Sequence, residues 1–329
     1  MEKIFVGTDI SKKTLDYSIL DGAHQVVDKH GCFLNDKKEI NEFISYLNDF
    51  DQKDILVTME HTGHYGALLI DLLSKNGIKF CLINPLEIKR SLGITRGKTD
   101  AIDAYRIASY SVKNSYKLKT YDLPSVTLQK LKVAMAQRDL YTKILVQCKN
   151  NLKSLQVAQK SLPVSNLIKE AKLAIKQNEK RIAKIELIMK ELIEGEKSLI
   201  NTYNKIVKVI GVGPITATKC IIETGNFTKF IDARKFNCHC GLAPFKYESG
   251  TSVRGKSRTS NLSDKSLKSV LFKAAATAIN HDQQLKSYYH RKLKEGKHKL
   301  SALNAVANKI VLRIFAVAKR EEPFVRMTF

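Results

Sequence analysis

Four acidic residues occupy positions in predicted strands and a predicted helix from which their carboxylates could bind the same metal ions. Asp9 and Glu60 each close a short apolar run that is typical of a buried strand. Asp100 and Asp103 lie three residues apart at the start of a helix-forming stretch, so both side chains can project from one side of its first turn. Carboxylate oxygens are ligands for hard cations, and a pair of Mg²⁺ ions stabilises the attacking and leaving oxygens of phosphoryl transfer. The four acids are therefore candidate ligands of two metal ions.

Asp100 alone has a simpler explanation. It follows Thr99 and precedes a run of helix formers, which predicts that Asp100 is the N-cap of the helix. The helix dipole stabilises acids at an N-terminus, and this explains most isolated Asp-x-x-Asp pairs. Asp9 and Glu60 favour the metal-site interpretation, because α/β sheets present their ligands at the carboxyl ends of strands.

The segments that must position these acids alternate between strand and helix signals. The pattern predicts three strands joined as a meander, then a helix, the strand that ends at Glu60, a helix, a further strand and the Asp100 helix. The predicted bounds are Ile4–Asp9, Thr14–Leu20, Gln25–Phe33, Lys37–Leu47, Asp54–Glu60, Tyr65–Leu73, Ile78–Ile83 and a helix from Asp100. This order is the ribonuclease H-like pattern of metal-dependent nucleases and recombinases. It predicts an α/β domain with a mixed sheet over residues 1–115.

The charge is distributed unevenly along the chain. The 329 residues include 56 Lys and Arg against 32 Asp and Glu, a net charge of +24. Residues 1–110 are nearly neutral, with 14 basic and 16 acidic residues, so the whole excess lies in residues 111–329. Because each phosphate contact releases counterions, such a surplus indicates a polyanionic partner, with a solvated basic surface as the alternative.

Other features of the composition narrow the class of protein. There is no long apolar run, lipidation motif or signal peptide, so no membrane partner is predicted. The six cysteines are scattered, and Cys238-His239-Cys240 lacks a second ligand pair at the spacing of a zinc site. Gly93–Thr99 has three residues between its glycines where an ATP-binding P-loop has four. We expect a reduced, cytoplasmic chain that is not an ATPase.

Residues 116–204 have the periodicity of long helices. From Leu131 onward, seam positions alternate three and four residues apart, and the pattern resumes after Pro163. Two such helices form an antiparallel hairpin, a coiled coil between subunits or an ordinary helical core. Asn178 would fix the register if it lies on the seam. We expect a homo-oligomer, either a dimer or a tetramer, that is held together by these helices.

Residues 205–329 are predicted to form a third, mainly helical domain. Gly211 and Gly213 permit a tight turn before a helix, as in a helix-hairpin-helix element whose free N–H groups hold a DNA phosphate; a purely structural hairpin is the alternative. A polar loop with several glycines follows, and in it Ser249 is one of several hydroxyls. The predicted nucleic-acid contacts in the loops are Arg254, Lys256 and Arg258 after Ser249, and Arg96 and Lys98 before the Asp100 helix.

Taken together, these residues resemble the DEDD transposases of the one-ten and eleven-eleven families of bacterial insertion sequences, with the related pilin-gene invertase. The resemblance covers essentially the whole chain. Its signatures are Asp9, Glu60 and Lys98-Thr99-Asp100-Ala101-Ile102-Asp103-Ala104 in the N-terminal part, and Gly211-Val212-Gly213-Pro214, Gly241-Leu242-Ala243-Pro244 and Ser249-Gly250 in the C-terminal part. The resemblance implies a RuvC-like catalytic domain, a coiled-coil middle and a C-terminal transposase domain. It also implies that Ser249 acts with the four acids on DNA, and that a bridge RNA selects donor and target.

The sequence thus predicts a DNA transposase or site-specific recombinase. Mg²⁺ ions held by the four acids would polarise the scissile phosphate, and Ser249 would attack the phosphorus. Three alternatives remain open: a Holliday-junction-type nuclease that uses water as its nucleophile, a DNA invertase, and a non-catalytic nucleic-acid-binding scaffold with a decayed metal site.

Overall fold

The computed structural model describes residues 3–50, 54–61, 63–91, 93, 97, 99–249 and 253–320, with the backbone alone for 246–249, 253–254 and 256–258. The chain divides into two units, Met1–Leu123 and Pro124–Phe329.

The N-terminal unit is built on a mixed five-stranded sheet. Its elements are β1 (Lys3–Ile10), β2 (Thr14–Asp21), β3 (Val26–Leu34), α1 (Lys37–Asn48), β4 (Asp54–Glu60), α2 (Ala67–Lys75), β5 (Lys79–Ile83), α3 (Pro85–Ser91) and α4 (Asp100–Lys113). The strand order is β3-β2-β1-β4-β5. The first three strands form an antiparallel meander, whereas β4 and β5 run parallel to β1. The predicted ribonuclease H-like sheet is confirmed.

Side chains alternate between the two faces of the central strand β1, and each face has its own core. Ile4 and Val6 belong to a cluster closed by α1 and α2, whereas Phe5 belongs to a second cluster that includes Ile107 of α4. These strand side chains are at most 2% exposed. The sheet is therefore the middle of three layers, and α4 covers the face opposite to α1 and α2.

Gly7 determines how closely α4 crosses β1. A Cβ at this position would lie 2.2 Å from the backbone nitrogen of Ala108 and 2.3 Å from the carbonyl oxygen of Ala104. Both are backbone atoms, so no rotamer change would relieve the overlap. Glycine in the strand and alanine in the helix thus permit direct backbone contact, which holds the first turns of α4 against β1.

The predicted N-cap of α4 is wrong by one residue. Thr99 is the N-cap, and its Oγ1 accepts a hydrogen bond from the Ile102 N–H at 3.2 Å. Thr99 has the extended backbone that capping requires, whereas Asp100 is already helical. Both residue types cap helices, so the sequence alone did not separate them. Asp100 and Asp103 nevertheless lie in the first turn, as the metal-site interpretation requires.

The C-terminal unit is mainly helical, with one two-stranded hairpin among its described residues. Its elements are α5 (Val126–Ala158), α6 (Ser165–Glu194), α7 (Lys197–Ile206), α8 (Pro214–Thr224), α9 (Ala233–His239), β6 (Pro244–Ser249), β7 (Val253–Thr259), α10 (Lys265–His281), α11 (Gln283–Lys294) and α12 (Lys299–Lys319). The strands β6 and β7 pair in antiparallel fashion.

The long helices α5 and α6 pack against each other as a helical hairpin within one chain. An ion pair joins them, with Arg138 Nε 2.7 Å from Glu186 Oε1. Asn178 is 5% exposed in α6, and its amide nitrogen donates to the Ala174 carbonyl in the same helix. The intramolecular hairpin is thus found, while a role for Asn178 in fixing the register stays a prediction.

The core of this unit contains residues of α8, α10 and α12 together with the ends of α5 and α6. Among the described residues, α12 is the one helix long and apolar enough to cross a membrane by length and composition. Its side chains Val306, Ile310 and Ile314 are fully buried in the protein core. Because 44% of its apolar window is buried, packing explains part of its apolar character.

Candidate active site

Asp9 and Glu60 end two strands that are paired with each other. The parallel strands β1 and β4 are aligned with Thr8 opposite Met59, so the next positions in that register are Asp9 and Glu60. Alternation along β1 puts Asp9 on the same sheet face as Phe5, which is the face covered by α4. Glu60 lies on that face too, because residues in register on neighbouring strands point the same way. The two strand-end acids thus face the helix that carries the other two.

The acids of α4 are close enough to Asp9 to change its ionisation. Burial raises the pKa of the Asp9 carboxyl above its ordinary value of 3.8, and the negative charges of Asp103 and Asp100 raise it further. A backbone hydrogen bond from Ile10 acts in the opposite direction, and Asp16 adds a smaller increase. The carboxylates therefore repel one another in the metal-free protein, and a bound divalent cation would offset that repulsion.

The donor set fits a hard cation. All four predicted ligands are carboxylates, and Asp9, Glu60 and Asp103 are half-buried whereas Asp100 is exposed. Mg²⁺ is usually bound by one or two carboxylates and keeps several waters. In the described part of the chain these four acids do not form a group whose ligand atoms all lie within 4.8 Å of one another, so they would hold the ions partly through water or after drawing closer.

Arg106 is a member of the site that the sequence reasoning missed. Its Nη1 lies 3.0 Å from Asp103 Oδ1, and its Nη2 donates to the Gly97 carbonyl at 3.2 Å. The guanidinium therefore holds Asp103 and connects the start of α4 to the loop that precedes it. The spacing of Asp103 and Arg106, three apart on a helix, was the available signal.

Asp16 is a further acid beside the cluster, also missed. It lies directly opposite Asp9 in the register of β1 and β2, and it is 7% exposed. Its Oδ1 is 2.7 Å from His30 Nε2 on the neighbouring strand β3. Burial and a hydrogen bond to Asp16 also raise the pKa of the Cys32 thiol. Asp16 thus adds negative charge beside Asp9, and its own carboxylate is hydrogen-bonded to His30.

The hairpin of the C-terminal unit carries the predicted nucleophile. Ser249 is the last residue of β6 and is paired with Val253 at the start of β7. Its side chain lies outside the described part of the structure, as do the side chains of the predicted phosphate contacts Arg254, Lys256 and Arg258 in β7. Arg96 and Lys98 are likewise outside the described residues. The roles of all these residues stay predictions.

The two glycines of the predicted helix-hairpin-helix turn have different surroundings. Gly211 has a φ of +91°, and a Cβ there would lie 2.4 Å from the Ala274 carbonyl oxygen in α10. Packing and backbone conformation are thus sufficient reasons for glycine at this position. A Cβ on Gly213 would meet nothing within 4 Å at the start of α8. The predicted phosphate contacts of both glycines are untested.

His239 is not joined to its neighbouring cysteines in a metal site. Its Nε2 lies 3.4 Å from Glu223 Oε2, and this contact holds the pKa of Glu223 below its ordinary value despite burial. Ligand atoms of Glu223, His239 and Asp264 all lie within 4.8 Å of one another. Asp264 also caps α10, where its Oδ1 accepts from the Leu267 N–H. The helix cap accounts for Asp264, whereas the buried His239 Nε2 has no hydrogen-bond partner among the described residues.

Two family models match the sequence. Residues 6–157 match the DEDD transposase model of IS110, and residues 203–290 match the model of the transposase IS116/IS110/IS902 family. The first match contains the four acids, and the second contains Ser249 and the whole β6–β7 hairpin.

Individual proteins resemble the chain to different extents. The pilin gene-inverting protein of Moraxella bovis is 25% identical over 98% of this chain and 98% of its own length. The insertion element IS110 uncharacterized 43.6 kDa protein of Streptomyces coelicolor is 31% identical over 33% of this chain and 27% of its own length. T. thermophilus RuvC, solved in complex with a Holliday junction substrate, aligns with a TM-score of 0.27 and 9% identity, covering 36% of this chain and 99% of that chain. With both units matched by models of one family, this chain belongs to the IS110 family of DEDD transposases, enzymes of DNA recombination.

Proposed function

We propose that this transposase cleaves and rejoins DNA strands with Mg²⁺ ions, two of them, held by Asp9, Glu60, Asp100 and Asp103. The observation that carries the proposal is the cluster itself: two acids in register at paired strand ends face the helix whose first turn holds two more. When bound, the cations supply Lewis-acid polarisation of the scissile phosphate and stabilise the leaving oxygen. The acids' own role is to hold those cations, and Arg106, which is paired with Asp103, competes with them for that carboxylate.

Ser249 is the proposed nucleophile. Its Oγ forms a bond to phosphorus as the bond from phosphorus to the departing DNA oxygen breaks, and the serine proton ends on that oxygen directly or through solvent. Rejoining reverses the step with a new DNA hydroxyl, which releases the serine. Support comes from the family's signature at Ser249-Gly250 and from the match that covers this segment.

The partners are donor and target DNA, a bridge RNA that selects them, and further copies of the chain. The net positive charge of residues 111–329 supports a polyanionic partner. A homo-oligomer, dimer or tetramer, would use the α5–α6 hairpin, where Leu140 and Leu187 are 47% and 56% exposed. We place this reaction in the cytoplasm.

The test is a covalent trap. A DNA substrate that loses a short fragment after cleavage prevents rejoining, so wild-type protein with Mg²⁺ should accumulate a phosphoserine-linked DNA end that maps to Ser249. Ser249→Ala should form no adduct and bind DNA normally, because one hydroxyl adds little beside many phosphate contacts. Asp103→Asn should abolish cleavage. Cleavage by Ser249→Ala at the wild-type rate would identify water as the nucleophile and a junction-type nuclease as the function.

Inversion is the second candidate outcome of the same chemistry. The observation that favours it is the match over 98% of both chains with the pilin gene-inverting protein of Moraxella bovis. A plasmid assay separates the two outcomes, because a transposase moves a segment between molecules whereas an invertase reverses a segment within one.

A further inference from the structure

A groove in the C-terminal unit lies at the base of the β6–β7 hairpin. Its volume is about 880 Å³, and it is lined by residues of α10, α11 and α12 with Pro244 and Thr259 of the hairpin. This size is in the upper part of the range of small-ligand pockets. Ser249 follows Pro244 by five residues on the same strand, a distance of roughly 17 Å. The groove therefore adjoins the strand that carries the proposed nucleophile.

The groove has a positive lining. Lys268, Lys297 and Lys309 line it, and no Asp or Glu is among its lining residues. Within the described part of the chain, no ion pair involves Lys309. The charge of Lys297 acts on Glu295, where it adds to the effect of Lys292 and Arg291 in lowering the pKa of that carboxyl. Lys297 and Lys309 are exposed to solvent. The lining thus favours an anionic occupant.

Three cations lie near the ring of Tyr288. Arg291 Cζ lies 5.2 Å from the ring centroid, and the Nζ atoms of Lys292 and Lys309 each lie 5.6 Å from it. Glu295 pairs with Arg291 and Lys292, with Lys292 Nζ at 2.6 Å. No carboxylate of the described residues pairs with Lys309. The ammonium group of Lys309, which lies beside the Tyr288 ring, is therefore available to bind an anionic ligand.

Aromatic and apolar side chains complete the lining. Phe272 and Tyr288 are half-buried, and Leu300 and Leu303 also line the groove. Lys268 Nζ lies 5.6 Å from the centroid of the Phe272 ring. Aromatic faces on which bases stack, beside cations that track the backbone, are the features that bind single-stranded nucleic acid. A duplex presents phosphates outward with its bases already stacked inside, so it would leave the aromatic faces unused.

We propose that this groove binds a single-stranded segment of nucleic acid. Its phosphates contact Lys297 and Lys309, and its bases stack on Tyr288 and Phe272. The proposal rests on the proposed function only in that the protein acts on nucleic acid. DNA and RNA share this chemistry, and the experiment distinguishes them.

The experiment measures binding of the full-length protein to a labelled oligonucleotide at several salt concentrations. The same sequence is offered as single-stranded DNA, as single-stranded RNA and as duplex DNA. Tyr288→Leu should weaken single-strand binding by roughly 5- to 150-fold, whereas Tyr288→Phe, which keeps the ring, should bind like wild type. The double variant Lys297→Gln/Lys309→Gln should lower the slope of log K against log salt by about 1.4.

A charge-matched control removes two exposed lysines outside the groove, as Lys273→Gln/Lys286→Gln. A larger loss of single-strand binding in the groove variants than in this control supports the proposal, and the arm that loses more identifies DNA or RNA as the occupant. Equal binding by groove and control variants overturns it, as does a loss confined to duplex DNA. The lysines are exposed, so this comparison stands even if Tyr288→Leu fails to fold.

The two proposals fail separately. Groove variants that bind like the control, together with an inactive Asp103→Asn, would overturn the groove and leave the proposed cleavage reaction in place. Cleavage by Asp103→Asn would overturn the proposed reaction and leave the groove measurement unaffected.

Discussion

Gly7→Ala is expected to damage the acidic cluster without touching an acid. The new Cβ would lie 2.2 Å from Ala108 N and 2.3 Å from Ala104 O, against an ordinary contact of 3.4 Å or more. The helix α4 must therefore move by about 1 Å, or the strand must bend. Overpacking of this kind costs about 1–3 kcal/mol. For a unit of this size the cost lowers Tm by roughly 4–12 °C. The same displacement moves Asp100 and Asp103 away from Asp9.

The assay is thermal unfolding of the full chain with and without Mg²⁺, beside DNA cleavage. A ligand that binds only the folded state raises Tm, so a disrupted site should show a smaller Mg²⁺-dependent increase than wild type. Gly22→Ala is the matched control, because the nearest atom to its Cβ, the Lys3 carbonyl oxygen, is 3.8 Å away. If Gly7→Ala has the same Tm, Mg²⁺ response and cleavage rate as wild type, the contact between Gly7 and α4 does not position that helix.

Three further predictions follow from the same structure. At neutral pH in EDTA, Asp9→Asn should unfold at a higher urea concentration than wild type. Burial and the neighbouring carboxylates raise the pKa of Asp9, so its ionised form destabilises the folded state and the neutral amide removes that cost. The gain should disappear below pH 3.8, where the carboxyl is protonated in both states; a gain that persists there contradicts the electrostatic cause. Arg106→Gln should lower the Mg²⁺ concentration needed for half-saturation in a thermal-shift titration, since it removes a cation paired with Asp103, while Arg106→Lys should not. Leu140→Lys/Leu187→Lys should reduce the mass measured by light scattering, and an unchanged mass would exclude this hairpin face as the subunit interface.

The sheet and the convergence of its acids were predictable because they depend on short-range patterns. Apolar runs that end in an acid define both a buried strand and the edge at which its last side chain lies. Adjacent parallel strands then bring Asp9 and Glu60 together without further information. Asp100 and Asp103 required only helical spacing, although the choice of Thr99 as the N-cap depended on its backbone conformation.

Other parts of the site depend on contacts that no local pattern encodes. Asp16 carries no signal in the sequence that marks it as part of the site, and only the pairing of β1 with β2 places it opposite Asp9. The need for glycine at position 7 comes from α4, about a hundred residues later. The groove combines side chains from three helices with the base of a hairpin, so its lysines are scattered in the sequence.

The contact between β1 and α4 also determines when the acidic cluster can exist during synthesis. Asp9 belongs to the first strand and Asp103 to the last helix of the N-terminal unit, 94 positions later. At about 5–20 residues per second, the ribosome needs roughly 5–20 s to add that length of chain. Until α4 has emerged, Phe5 on this face of β1 lacks its contacts with Ile107 and Tyr110, so part of the face stays uncovered on the nascent chain. The proposed four-acid metal site can therefore be complete only after α4 has been synthesised.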